Sequence, residues 1–190
     1  DGRDLPRVTA ALERQHAVAT RRGDRREAAA ALSGLGFAAA ERGDKAAAIE
    51  AGERAIAAWQ AAGEPRAAEV ARAELGARLA RFGELERAAQ VLEEAVLGFR
   101  TLGDRGGLAQ ALVDLGDACA QAGAVERAVK AWEEARSIYE GAGDVANELP
   151  VLIALGRVRG PGPARDDAKA LEVLTRALKL AGELGDVEAE

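Results

Sequence analysis

Nucleophilic, metal or acid–base chemistry needs residue types that this chain supplies sparingly. His16 is the single histidine and Cys119 the single cysteine. One imidazole and one thiolate fall short of the ligand set a zinc site requires. His16 stands beside Ala17 and Val18, which reads as a surface or partly packed helix position. No histidine or lysine is placed to activate the Cys119 thiol. The stretch Gly103–Leu108, "GDRGGL", has three glycines but no Lys-Ser/Thr, and no strand precedes it. It reads as a turn that starts a helix, not as a phosphate loop. Gly106 and Gly107 leave that helix start weak. Carboxylates abound at Glu86, Glu93, Glu94, Glu126, Glu133 and Glu134, with Arg87 and Arg127 nearby. Their spacing, as in Glu84 and Arg87, suits solvated helix faces with short-range ion pairs. These groups assemble no set of nucleophile, base and oxyanion donor. The expectation is a chain that is not an enzyme and holds no metal and no cofactor.

Composition narrows the class of partner. The 190 residues carry a net charge of −6, and 31% are charged while only 3% are aromatic. An acidic balance argues against nucleic acid as a direct partner. No run approaches the roughly 18 apolar residues of a spanning helix, so no membrane partner is expected. A single cysteine makes no internal disulfide and no signal peptide opens the sequence, so a cytoplasmic location is expected. The chain lacks methionine and opens on "DGRDLPRV", which reads as a piece of a longer protein. Small apolar residues interleaved with charge suit helices that pack closely, and β-branched and aromatic residues are too scarce for sheets.

The elements that position these residues follow from an internal period. Leu-Gly recurs at Leu35-Gly36, Leu75-Gly76, Leu115-Gly116 and Leu155-Gly156, forty residues apart. Gly43, Gly83 and Gly123 follow at one offset, then Ala48, Ala88 and Ala128, then Ala55, Ala95 and Ala135. Gly63, Gly103 and Gly143 close the units, each followed by an acid. Such periodicity marks a stack of equivalent supersecondary units. Each unit reads as two helices, near 67–82 then 85–101, and near 107–122 then 125–141. Gly83 and Gly123 end the first helix in the left-handed conformation. Asp104 and Asp144 are placed to cap the helices that follow. Ala88, Val91, Leu92, Ala95, Val96 and Phe99 have the spacing of one buried helix face. Cys119 falls in the column of Ala39 and Leu79, a small core position. Trp59, Phe99, Trp132 and Tyr139 recur on second helices at packing spacing. Gly116 and its counterparts are expected where the two helices cross, letting the partner backbone approach closely.

Leu115-Gly116, Gly123, Ala128, Trp132 and Ala135 stand in an order that resembles the tetratricopeptide repeat family. The resemblance covers residues 28–182 and implies an all-α, right-handed superhelical solenoid of helix–turn–helix repeats. Full units are expected at 27–66, 67–106 and 107–146, after a half repeat at 8–23. A fourth unit at 147–186 is irregular: Ala170, Ala177 and Gly185 arrive two residues late, which places an insertion near the Pro/Gly segment 160–163. The period is forty and not thirty-four, and Leu32, Arg72, Leu112 and Leu152 replace the tryptophan common early in the first helix. The longer unit is similar to the variant in bacterial signalling ATPases and transcriptional regulators, in polarity scaffolds and in kinesin light chains. The alanine- and arginine-rich composition resembles actinobacterial versions.

In that family the first helices line a concave groove. The resemblance therefore implies a partner-binding surface of Ser33, Phe37 and Glu41; Ala73, Ala77 and Arg81; Gln110, Val113, Asp117 and Gln121; and Ile153 and Arg157. Phe37, Ala77 and Asp117 stand where some relatives use asparagine to hold a C-terminal carboxylate, so that clamp is not expected. The functional reading is a scaffold that binds a peptide or helix of a partner protein. The alternative is a ligand-sensing or autoinhibitory segment of a larger ATPase or transcriptional regulator. Solenoid ends need polar caps; none is visible, so self-association through the ends of the array is a further expectation.

Overall fold

The computed structural model describes residues 4–159 and 167–187. The described residues form α-helices and no strands. The chain divides after Asp104 into two compact units. The first holds α1 (Leu5–Arg22), α2 (Arg25–Glu41), α3 (Lys45–Ala61), α4 (Pro65–Arg81) and α5 (Leu85–Leu102). The second holds α6 (Arg105–Gln121), α7 (Val125–Ala142), α8 (Val145–Arg159) and α9 (Asp167–Val187). Within each unit, packing is chiefly between helices consecutive in the chain. That near-neighbour pattern is the mark of a helical-repeat architecture.

Glycine punctuates the helices every twenty residues. Gly23, Gly43, Gly63, Gly83, Gly103, Gly123 and Gly143 all have φ between +69° and +78°. A side chain there would be strained, and glycine adopts this conformation freely. At each turn the following residue's N–H donates to a carbonyl five residues back; Asp44 to Ala39 is 2.9 Å and Glu84 to Leu79 is 2.9 Å. These bonds satisfy carbonyls that a helix end leaves open. The same residue then begins the next helix. Asp24 Oδ1 accepts from Glu27 N at 3.0 Å, Asp44 Oδ1 from Ala47 N at 3.1 Å, and Asp144 Oδ1 from Asn147 N at 3.1 Å. At Asp104 the carboxylate also receives Arg66 Nε at 2.6 Å.

The alanine columns are core. Ala48, Ala88 and Ala128 are fully buried, and so are Ala55, Ala95 and Ala135 to within 1%. Leu32, Leu112 and Leu152 are buried in the column where Arg72 instead pairs with Glu69 and Glu94. Cys119, Phe99, Trp132 and Tyr139 are buried packing residues. His16 is half-buried, its Nδ1 3.1 Å from the Ala28 carbonyl oxygen.

Three expectations need correction. Helices α4 and α6 begin two residues earlier than the pattern suggested, at Pro65 and Arg105; Glu64 stands at the N-cap position of α4 without a side-chain cap hydrogen bond. The turn expected at Gly185 is absent: α9 runs through it to Val187. The third concerns the Leu-Gly column. A Cβ on Gly116 would collide with the Trp132 indole, one on Gly76 with Leu92, and one on Gly156 with Leu174. At these positions the glycine admits a side chain, not a backbone. Only Gly36 meets backbone, at 3.5 Å from both Ala48 O and Gly52 N. Gly36, Gly76 and Gly116 thus face positions sixteen residues on, while Gly156 faces one eighteen on. The Pro/Gly segment 160–163 lies outside the described residues.

Candidate functional site

In the first unit, α2 presents Ser33, Phe37 and Glu41 one turn apart, and α4 presents Ala73, Ala77 and Arg81 at the same spacing. Residues four apart share a helix face. Ser33, Phe37, Ala77 and Arg81 come together, with Gly34, Glu74 and Arg78, around a concavity of about 380 Å³. Phe37 is 57% exposed at its rim, an unusual setting for a large apolar ring. Ala77 on α4 is small and leaves the space open, while the room beside Gly34 on α2 is taken by Leu12 of α1, 3.0 Å from where a Cβ would stand. Arg81 Nη1 donates to Glu41 Oε1 at 3.0 Å, which joins the two helices. Trp59 Nε1 donates to Ser33 Oγ at 3.2 Å from the neighbouring α3. Ala73 is half-buried, one turn below Ala77.

Arg78 forms part of the wall and is almost fully buried, 6% exposed. Its Nη2 donates to Glu74 Oε2 at 2.9 Å, while Nη1 is buried without a hydrogen-bond partner. The sequence reading missed this residue. The available signal was its column, in which Ala38 and Ala118 are buried alanines.

In the second unit, α6 carries Gln110, Val113, Asp117 and Gln121, and α8 carries Ile153 and Arg157. Val113 and Ile153 are half-buried; Gln110, Asp117, Gln121 and Arg157 are exposed. Trp132 Nε1 donates to Asp117 Oδ1 at 3.1 Å, and Gln110 Nε2 to Asp114 Oδ1 at 3.1 Å. Asp114, also missed in the sequence, shares its column with Glu74. Desolvation pushes its carboxyl up to about 6; the Gln110 hydrogen bond opposes this and the Asp117 charge adds to it. Desolvation also raises Asp117, against the hydrogen bond from Trp132. On α6 the two carboxylates Asp114 and Asp117 are held by amide and indole donors. In the first unit the charges are paired arginines and glutamates, Arg78 with Glu74 and Arg81 with Glu41.

Among the described residues no group of three or more His, Cys, Asp or Glu side chains is arranged to hold a metal ion. No described helix is long and apolar enough to cross a membrane.

The fold is that of a tetratricopeptide-like helical repeat. No family model matches the chain, and no curated protein matches it. Solved structures do. BtubC (BKLC) from P. vanneervenii superposes with a TM-score of 0.72 at 19% identity, over 95% of this chain and 92% of that one. A Podosopora anserina protein described as a putative kinesin light chain with nearly identical TPR-like repeats gives 0.74 at 18% identity, over 95% and 88%. A form of that protein with one glutamine replaced by methionine gives 0.76 at 18% identity, over 96% and 89%. At these identities the likeness is one of fold.

Proposed function

We propose that this chain is a non-catalytic protein-interaction scaffold that seats a peptide or short helix of a partner against the first-helix surface. The observation that carries the reading is the concavity between α2 and α4. It is lined by the small Ala77, and an exposed aromatic stands beside charged groups able to orient a chain. Binding sites commonly combine an apolar body with a few placed polar groups. Aromatic and arginine side chains dominate the energetics of such contacts. Phe37 is the apolar anchor and Arg81 the polar one in this reading.

A random peptide library displayed on phage tests it, with the immobilised chain as bait. Peptides that enrich on the native chain and lose at least tenfold in affinity on Phe37→Ala are expected. The Trp59 indole, hydrogen-bonded to Ser33 in the wall, should report occupancy by a change in emission. Enriched peptides that bind Phe37→Ala and Arg81→Glu as tightly as the native chain would sink the assignment.

A further inference from the structure

One hairpin departs from its sisters at three positions together. Glu69 and Arg72 of α4 stand where the equivalent first helices carry buried Ala29 and Ala109, and buried Leu32, Leu112 and Leu152. Gly98 of α5 stands where the equivalent second helices carry Ala58 and Ile138. The three changes act as one. Arg72 Nη1 donates to Glu69 Oε2, and the two side chains are only 15% and 13% exposed. A Cβ on Gly98 would collide with the Glu69 carboxylate, so the glycine admits the pair. Replacing a buried ion pair by packed apolar residues is commonly neutral or stabilising. Packing alone therefore gives no reason to hold charges where alanine and leucine serve.

Arg72 lines a concavity of about 350 Å³ among α3, α4 and α5, which shares no residue with the α2–α4 concavity. Ile56, Leu75 and Val91 form its apolar side, and Glu53 and Glu94 stand with Arg72 in its lining. The guanidinium is not used up. Nη1 serves Glu69, and Nε lies 3.4 Å from Glu94 Oε2, long for a hydrogen bond. Nη2 takes no hydrogen bond within the protein and is not sealed from solvent. The Glu94 carboxylate is 70% exposed and so open to a further donor. Charge decides what suits this set. Three carboxylates, Glu53, Glu69 and Glu94, surround two guanidiniums, Arg72 and Arg87, the latter 2.6 Å from Glu53. Another carboxylate would meet a net negative surface, whereas a neutral carbonyl would not. A peptide segment supplies what is needed: a C=O to accept from Arg72 Nη2 and an N–H to donate to Glu94. Its aliphatic side chain then covers Ile56, Leu75 and Val91.

We propose that this concavity is a second binding site, that it takes a neutral peptide segment with an aliphatic side chain, and that Arg72 is its polar anchor. N-acetyl-leucine methylamide is the probe, titrated into the isotope-labelled chain and followed by NMR. It should shift the amide resonances of Ile56, Val91 and Glu94, with a Kd on the order of 1 mM for so small a ligand. N-acetyl-leucine, with a carboxylate in place of the second amide, should bind more weakly. Glu69→Ala together with Arg72→Leu installs the residues of the sister hairpins. This double variant should keep the helicity and melting temperature of the native chain and lose the shifts. Phe37→Ala should leave the shifts intact, which separates this site from the α2–α4 concavity. No shift at these residues with the probe at about tenfold the expected Kd overturns the proposal. Equal binding of N-acetyl-leucine, shifts that survive in the double variant, or shifts that vanish in Phe37→Ala overturn it as well. So does a double variant that unfolds, since the ion pair would then be a structural element of the hairpin.

Discussion

Two hairpins with the same sequence column solve one packing problem in opposite ways. In α6–α7 the space beside Gly116 is filled from within the hairpin, by the buried indole of Trp132. In α2–α3 the position sixteen residues after Gly36 is another glycine, Gly52, and no large side chain is available. Three things take the space there, one of them Leu75 of α4, whose Cδ1 stands 2.9 Å from where a Cβ on Gly52 would be. The α3 backbone draws to 3.5 Å of where a Cβ on Gly36 would stand, and Arg78 reaches in from the next hairpin. Its Nη1 lies 3.3 Å from the Cβ position of Gly36 and 3.6 Å from that of Gly52. Interiors tolerate few voids, so a missing large residue in one repeat is offset from the neighbouring one. Arg78 therefore occupies a column that is alanine at Ala38 and Ala118. The glycine is common to both hairpins, but what it makes room for is not.

The largest test of this difference removes the filler. Trp132→Ala should cost about 3–5 kcal/mol, since it vacates a buried aromatic site and frees Asp117 from its indole donor. Chemical denaturation measures it, and a loss under about 1 kcal/mol would mean that the slot collapses without the ring. Next, Gly116→Ala should destabilise by about 1–3 kcal/mol by overpacking against the indole. Combining Gly116→Ala with Trp132→Leu should recover much of that loss, and strict additivity would show that the two sites do not share the space.

A third test uses the charge difference between the two surfaces. Burial lifts Asp114 from its ordinary 3.8 to about 6. Between those pH values the folded chain holds a proton that the unfolded chain has released. Stability therefore declines as pH rises through that window and is lowest, for this group, above about pH 6. Asp114→Asn should equal the native chain near pH 4 and exceed it by about 1–2 kcal/mol at about pH 8. A constant offset across pH would place the titration elsewhere. In the first unit the corresponding residue is Glu74, which is paired with Arg78.

The smallest effects belong to the α2–α3 crossing. Gly36→Ala adds a methyl at ordinary contact distance from backbone, and the tip of Arg78 must yield by a few tenths of an ångström. Alanine gains about 1 kcal/mol in helix propensity over glycine. The sum should fall within about 0.5 kcal/mol of the native chain, in contrast to the loss at Gly116. Arg78→Met keeps much of the volume and removes a buried guanidinium with one unpartnered nitrogen. It should change stability by less than about 1 kcal/mol in either direction. A large loss would mean that the ion pair with Glu74, and not the filled volume, is what the site requires.

Much of this architecture is legible in the residues alone. The glycine–acid pairs at Gly23-Asp24, Gly43-Asp44, Gly63-Glu64 and Gly83-Glu84 mark the turns, because a left-handed residue between two helices is a local requirement, and Asp24 and Asp44 add a side-chain cap that Glu64 and Glu84 do not. The buried alanine columns are legible for the same reason, as helix periodicity is written in consecutive residues. Ser33, Phe37, Ala77 and Arg81 could be grouped in advance because equal columns on successive first helices face one way. Arg78 and Asp114 could not. Each is an ordinary polar residue on an amphipathic helix until its neighbours across the crossing are known.

The repeat length, the helix limits and the identity of the core columns thus follow from the chain read in order, since hydrogen bonds and caps act within a few residues. Which side chain enters the space beside each glycine was settled only when the hairpins met. A residue without a Cβ specifies room and not its occupant. That choice depends on the volume left by residues sixteen or more positions away, at Gly52, Leu92, Trp132 and Leu174. Close packing then selects whatever fills it.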